Sequence, residues 1–302
     1  FFDGEPIAIA SNTNHIISLL DFLRFWRNPV RHWLENQLDW KQPYTDEAWD
    51  AAEPFNPTAT EAIHSSYLNA RRQDQDFERV GVSLQAQSLL PEGILGDLWP
   101  QHFQVTAKAL DTELCQSPKY PSVPFDLTFA EKTLSGSLNQ LYQHGQIFFL
   151  NRKLNAPQRL SLMLEHLIYC AVAPNNLPLL SHLLLPDAPE SWPTIDAKTA
   201  HNLLQPWLAY YQIGQTRPLP FFAKTSLQAA QEQLKTNDLN KALNKARSIY
   251  RGNKVSKGQC DYEEVALVFG SNESEPIDSP LCRHMVSDFL LPLLENLKAL
   301  EL

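Results

Sequence analysis

The stretch Leu134-Ser-Gly-Ser-Leu-Asn-Gln-Leu-Tyr142, followed by His144-Gly145 and Gln146-Ile-Phe-Phe-Leu-Asn-Arg-Lys153, decides the fold class. Leu134, Gly136, Leu138 and Tyr142 alternate with polar neighbours, the two-residue period of a half-buried strand. His144-Gly145 has the composition of a turn, and Gln146 to Leu150 is a short apolar run of buried-strand length. Leu127 and Phe129 show the same alternation just upstream. Together these segments predict a small antiparallel sheet.

On both sides of this region the period lengthens to that of a helix. Ile16, Ile17, Leu19, Leu20, Leu23, Phe25 and Trp26 form a broad apolar helical stripe, interrupted by Asn28-Pro29. Asparagine at the cap and proline in the first turn predict a new helix there, continued by Val30, Trp33, Leu34 and Leu38. Thr58 and Glu61 have capping-box spacing ahead of Ile63, Tyr67, Ala70 and Phe77. A further helix is expected to carry Phe103, Leu110 and Leu114. Leu160, Leu164, Leu167, Ile168 and Ala171 predict a long helix after the sheet. Asp196 is the expected cap of another, with Leu203, Leu204, Trp207 and Leu208 inward. Leu239 to Tyr250 form an amphipathic helix closed by Gly252, and Ser279-Pro280 opens a last one that runs across Pro292. Helices, then sheet, then helices describe an α/β or α+β chain without internal repeats. It is expected to form a single domain over 1–302, helical to about residue 120, with sheet and helices from about 121.

Composition narrows the functional classes. The chain has 302 residues, a formal net charge of −9 and only ten glycines. That charge argues against a protein wrapped all round by nucleic acid, while leaving room for one basic face. The scarcity of glycine argues against a glycine-built nucleotide cradle. Cys115, Cys170, Cys260 and Cys282 stand far apart, as expected for reduced, mostly buried thiols in the cytoplasm. No apolar run reaches membrane-spanning length. The chain opens Phe1-Phe2-Asp3 without methionine, the expectation for a piece of a longer polypeptide. The acidic stretch between Pro43 and Pro57, with Asp46, Glu47, Asp50 and Glu53, is expected to be a solvated loop.

The hairpin is also where chemistry is expected. Metal-dependent nucleases hold Mg²⁺ with a carboxylate on one strand and an acid-x-Lys pair on the next, because residues two apart on a strand share a face. The layout Gly136-Ser-Leu-Asn139, then Phe148-Phe-Leu-Asn-Arg-Lys153, resembles the PD-(D/E)xK nuclease fold in the branch of the bacterial recombination helicase–nucleases. That resemblance implies a small mixed sheet flanked by helices. Where the pattern carries acids, this chain carries Asn139 and Asn151, with Lys153 retained. An amide oxygen holds a hard cation far more weakly than a carboxylate, so a degenerate, metal-free site is expected.

Further stretches narrow the resemblance: Leu20-Asp-Phe-Leu-Arg-Phe-Trp-Arg-Asn-Pro-Val-Arg-His-Trp-Leu34, Leu164-Glu-His-Leu167, and Tyr211-Gln-Ile-Gly214 leading to Pro218-Leu-Pro-Phe-Phe222. In this order they resemble the C-terminal region of the gamma subunit of exodeoxyribonuclease V, the RecC family, over essentially the whole chain. The resemblance implies a non-catalytic part of a three-subunit complex, with a beta helicase–nuclease and an alpha helicase as partners. That complex repairs double-strand breaks, and the family helps split duplex DNA and scans for the Chi signal. Mg²⁺ and ATP are then used by the partner subunits, and no cofactor is expected in this domain.

Three other sets of residues compete for function. Asp196-Ala-Lys198 and Asp39-Trp-Lys41 also spell acid-x-Lys, the first at an expected helix cap. Lys241, Lys245, Arg247, Arg251, Lys254 and Lys257 lie in an acid-free stretch where phosphates could bind, with Tyr250 to stack on a base. Lys241 and Lys245 fall on one helix face, Arg247 and Arg251 on another. Trp26, Trp33, Trp40 and Trp49 crowd the first part of the chain. Trp26 and Trp33 continue apolar stripes, while Trp40 and Trp49 are the interface candidates. Two alternatives to the non-catalytic reading stay open: an active Mg²⁺ nuclease with its acids elsewhere, and a scaffold that never touches DNA. An active nuclease built on Asp196 degrades DNA with Mg²⁺ and loses that activity in Asp196→Asn. The expected result is no degradation by the isolated chain, measured on labelled duplex.

Overall fold

The computed structural model describes residues 16–41, 57–90, 94–150, 152–185, 189–253, 257–270 and 275–297. Strand β1 (Ile16–Ser18) leads into α1 (Leu19–Arg27) and α2 (Pro29–Leu38), followed by α3 (Pro57–Arg72), α4 (Phe77–Ala86), α5 (Ile94–Ala109) and the short α6 (Thr112–Cys115). Then come β2 (Val123–Phe129), β3 (Lys132–Leu138), β4 (Leu141–Tyr142), β5 (Gly145–Phe149), α7 (Ala156–Val172), β6 (Ser181–Leu184) and β7 (Glu190–Trp192). The last third is helical: α8 (Ala197–Thr216), α9 (Ala223–Thr236), α10 (Leu239–Arg251), α11 (Glu263–Phe269), α12 (Pro280–Met285) and α13 (Leu291–Leu297).

The strands form two mixed sheets rather than one antiparallel sheet. One has the order β1-β3-β2, with β1 parallel to β3 and β2 antiparallel to it. The other has the order β4-β5-β6-β7, and its central pair β5–β6 is parallel. The parallel pair exists because α7 carries the chain from the end of β5 back to the start of β6. Ile16–Ser18, which the apolar stripe assigns to the first helix, is a strand. Ser18 ends it and caps α1, its side chain accepting from Asp21 N at 3.1 Å. A three-residue strand has no periodicity of its own, so its pairing with β3 decides it. Strands β6 and β7 are likewise unread from sequence, being too short to show alternation.

Most helix signals fall where the sequence places them. Asn28 Oδ1 accepts from Arg31 N, with Pro29 in the first turn of α2. Asp196 caps α8 and Ser279 caps α12; α7 also begins with a capping box of Asn155 and Gln158, unread from sequence. Phe77 opens α4 instead of ending α3, yet still packs on Tyr67 with ring centroids 5.5 Å apart. The side chain of Thr58 lies outside the described residues, as does the acidic stretch 42–56. The last helix passes Pro292 through a π turn at Val286–Leu290. Pro292 has no N–H for the carbonyl four residues back, and the widened turn absorbs that loss.

The main core lies where α1, α7, α8, α9 and α13 meet β2, β3 and the β5–β6 pair. At its centre Trp26 packs edge-on against Trp207 (4.8 Å), Phe221 (5.3 Å) and Phe289 (5.1 Å). Helices α3, α4 and α5 form their own small core. They join the second sheet through Leu68, Leu110 and Cys115 against Tyr142, Ile147 and Leu184. Cys115, Cys170 and Cys282 are buried and all four thiols are free. No helix among the described residues is long and apolar enough to cross a membrane.

Gly214 on α8 shows how closely α1 approaches. A Cβ there would sit 2.3 Å from Phe25 Cζ. Alanine normally favours a helix over glycine by about 1 kcal/mol. Here overpacking against a buried ring, ~1–3 kcal/mol, prevails. Gly214→Ala is therefore expected to lower the urea midpoint, and a raised midpoint would show that helix propensity won.

Candidate functional site

The expected hairpin between the 134–142 and 146–150 segments does not form along its length: β3 pairs with β1 and β2, β5 pairs with β4 and β6, and Asn139 lies at the crossing between the two sheets. Gln140 adopts a left-handed conformation (φ 58°) between β3 and β4, where the chain passes from one sheet to the other. Asn139 is exposed, its Nδ2 donating to Ser137 O at 3.3 Å, and its own carbonyl accepts from Gln146 Nε2 at 3.3 Å. Lys153 is exposed four residues beyond the end of β5. No hydrogen bond or ion pair joins Asn139 to Lys153 among the described residues. Asn151 lies outside the described residues.

Beneath Asn139 runs a polar chain in which Gln146, Ser181 and His166 are buried and Glu165 is half-buried. Gln146 Nε2 also reaches Glu165 Oε1 at 3.4 Å. Ser181 Oγ lies 3.1 Å from Gln146 Oε1 and 2.7 Å from His166 Nδ1. Burial pushes Glu165 up to about 7, with Arg27 pulling the other way. Burial also lowers His166 to about 4, so the ring is neutral at physiological pH. The neutral ring has one N–H: with the proton on Nε2 it donates to Pro193 O at 3.1 Å, and with the proton on Nδ1 it donates to Ser181 Oγ, whose own hydroxyl donates to Gln146 Oε1.

Lys153 opens onto a cleft of about 580 Å³, within the ~300–1,000 Å³ range of ligand sites. Its walls come from the α1–α2 junction (Arg27, Asn28), the first turn of α7 (Asn155, Ala156, Pro157), the first turn of α9 (Phe222, Ala223, Lys224), and α11 with the turn before it (Gln259, Tyr262, Glu264). Two helix N-termini therefore border one concavity. Neither has an acid in its first turn, and no side chain caps α9. Thr225 N–H is taken by Gln259 Oε1 at 2.9 Å, while the amides of Ala223 and Lys224 have no acceptor within their own helix. The partial positive charge of these ends adds to that of the side chains.

Among the described residues, four cations, Arg27, Lys153, Arg159 and Lys224, line the cleft with one carboxylate, Glu264. Arg159 is committed to Glu190 by a pair of hydrogen bonds, one at 2.8 Å. Glu264 is buried and accepts from Asn28 Nδ2 at 2.8 Å. Arg27, Lys153 and Lys224 are exposed and form no ion pair among the described residues; Arg27 Nε donates to Ser161 Oγ at 2.8 Å. The cleft is thus electropositive in a chain of net charge −9. Sequence reasoning found Lys153 alone of these, because positions 27, 153 and 224 share no local pattern.

The basic run of α10 has a different fate. Arg247 pairs with Asp278 at 2.8 Å, and Arg251 pairs with Glu275, so both fasten α10 to the turn before α12. Tyr250 is 5% exposed with its ring 5.0 Å from Phe222, which removes it as a stacking surface. Lys241 and Lys245 are exposed on the outer face, and Lys254 lies outside the described residues. Asp196 serves as the cap of α8, accepting from Thr199 N at 3.0 Å, and those Thr199 bonds hold its carboxyl below the usual range. Asp39 ends α2, with Lys41 Nζ 3.9 Å away. Trp26 and Trp33 are buried, Trp40 is half-buried against the cluster around Trp33, and Trp49 lies outside the described residues.

Fold and cleft together define a mixed α/β domain with an electropositive surface concavity. The chain belongs to the RecC C-terminal domain family, whose model matches residues 14–234. It is similar to the RecBCD enzyme subunit RecC of Escherichia coli strain K12, with 28% identity over 251 residues, 79% of this chain and 22% of that protein. The RecC subunits of two Buchnera aphidicola strains match as well. The one from the subspecies Schizaphis graminum of Buchnera aphidicola is 25% identical over 53% of this chain and 15% of that protein. The one from the subspecies Acyrthosiphon pisum is 21% identical over 95% of this chain and 28% of that protein. The chain thus spans between 15% and 28% of the length of the curated relatives it matches.

The position of Glu165 sets a pH dependence. Its folded pKa of about 7 exceeds the ordinary 4.5, so the native state binds the extra proton between those values. Its contribution to stability is complete below about pH 4.5 and is lost as pH rises through 7, a swing on the order of 3 kcal/mol. Glu165→Gln is expected to flatten urea-unfolding free energy between pH 5 and pH 8 and to be the more stable form at pH 8. An unchanged slope would show that Glu165 stays ionised.

Proposed function

We propose that this chain is a non-catalytic, nuclease-like domain of a RecBCD-type helicase–nuclease acting in double-strand-break repair and recombination. It holds the beta helicase–nuclease and alpha helicase subunits, helps guide or split DNA, and supports recognition of Chi. The observation that carries this reading is the family match over residues 14–234, to a domain of proteins named as RecBCD subunits. Two features of this region support the nuclease-like part. The β2–β3 hairpin is followed by β4 and β5, the long helix α7 and then β6, parallel to β5, and the position expected to carry a metal-binding acid is Asn139. Work on DNA in such a complex implies a cytoplasmic location, with Mg²⁺ and ATP handled by the partner subunits.

Lys241 and Lys245, exposed on α10, remain available as outlying phosphate contacts. The test is co-purification of the full-length protein with the beta and alpha subunits, followed by ATP- and Mg²⁺-dependent degradation of linear duplex. Both subunits are expected to co-purify, and Asn139→Ala is expected to leave the degradation rate within about twofold, since a non-catalytic position contributes no transition-state stabilisation. Cleavage by this protein without the beta subunit, or its collapse in Asn139→Ala, would overturn the non-catalytic reading.

A further inference from the structure

We propose that Gln146, Ser181 and His166 form a hydrogen-bond chain whose direction reverses with the protonation of Glu165, so that the tie from Gln146 to the sheet crossing at Asn139 is made in one direction and released in the other. Gln146, Ser181 and His166 are fully buried, so their polar atoms depend on one another. Gln146 Nε2 points at Asn139 O (3.3 Å) and Glu165 Oε1 (3.4 Å), which turns Gln146 Oε1 towards Ser181. Ser181 then donates to that oxygen at 3.1 Å, and its own oxygen accepts from His166 Nδ1 at 2.7 Å. A neutral imidazole has one N–H, so His166 Nε2 is left with a lone pair 3.1 Å from the carbonyl oxygen of Pro193. Two acceptors meet there, and the Cys170 thiol, 3.5 Å from Nε2, is a weak donor.

Turning the Gln146 amide over removes that conflict. Nε2 then donates to Ser181, Ser181 donates to His166 Nδ1, and His166 Nε2–H donates to Pro193 O. The want of a donor moves to the other end, where Gln146 Oε1 now faces Glu165. A protonated Glu165 supplies it, and an ionised one repels it. The reversal therefore takes up one proton at Glu165, while the imidazole gives up its proton at Nδ1 and takes one at Nε2. Asn139 O loses its Gln146 donor and, on an exposed residue, turns to water. The surroundings leave Glu165 free to titrate. Arg27, from α1, is the charged side chain acting on it among the described residues and favours the carboxylate. From β5 and β6 come the neutral Gln146 and Ser181, and on α7 itself His166 is neutral. Helices α8 and α9 and strand β2 pack on α7 and bring the apolar Leu204, Leu227 and Phe125 to the same core. Burial holds Glu165 at about 7, so both directions of the chain are reached near neutral pH.

The experiment is solid-state NMR of the sedimented full-length protein labelled with nitrogen-15 histidine, the His166 signals being those lost in His166→Gln. The ring is expected to carry its proton on Nδ1 at pH 8 and on Nε2 at pH 6, changing over near pH 7. Glu165→Gln, whose amide donates to Gln146 Oε1 at every pH, is expected to hold the Nε2–H form throughout. Ser181→Ala is expected to cut His166 off, so that its ring no longer follows pH over this range. Hydrogen exchange read by mass spectrometry reports the crossing itself. After correction for the intrinsic pH dependence, the peptide over residues 139–147 should exchange about fivefold faster at pH 6 than at pH 8, the effect of one hydrogen bond, and equally fast at both in Glu165→Gln. A single His166 tautomer from pH 5 to pH 9 in the wild type, or a changeover that persists in Glu165→Gln, would overturn the proposal.

Discussion

The packing of Trp26 against Trp207, Phe221 and Phe289 ties together segments far apart in the chain: the first helix, α8, the extended Pro218–Phe222 link, and the π turn of the last helix. Large rings in edge contact each bury on the order of 150–250 Å², and each such pair adds ~1 kcal/mol beyond area alone. The consequence for function is positional. Arg27 follows Trp26, and Phe222 with Ala223 follows Phe221, so the residues next to the aromatic centre become two walls of the cleft. A rigid core thereby fixes a charged surface that no single element could hold.

Electrostatics sorts the basic residues into two kinds. Those on α10 are concentrated in sequence, yet Arg247 and Arg251 serve as struts between helices. Those at the cleft are dispersed in sequence and converge in space. Surface ion pairs contribute little to stability, so the struts act mainly by fixing orientation. The unpaired cleft cations instead raise the local potential where two helix dipoles already point.

The β3–β4 bend divides the strands between two sheets and puts Asn139 at their junction. Gln146, Glu165, Ser181 and His166 fill the space beneath with hydrogen bonds. A mostly buried chain of this kind is tolerable only when its members are paired, and a neutral His166 and a readily protonated Glu165 lower its electrostatic cost. The junction thus joins packing to charge: Arg27 lies near enough to influence Glu165 while also lining the cleft.

Local chemistry made the helices legible. Asn28-Pro29, Asp196 and Ser279-Pro280 stop or start helices through bonds to their own backbone, and the alternation from Leu127 to Tyr142 marked the strands. The same sequence also carried the family resemblance, because its motifs are short and ordered along the chain. What it did not carry depends on distance in space. Ile16–Ser18 became a strand only through pairing with β3, and β6 only through its parallel neighbour β5. Tyr250, a stacking candidate by its place in the basic run, was drawn inward by Phe222. The cleft is the clearest case: Arg27, Lys153, Lys224 and Tyr262 have no common spacing, and only the tertiary fold, anchored on Trp26, brings them to one concavity. Hydrogen bonds to near neighbours are written in sequence, whereas burial and charge convergence are sums over the whole chain.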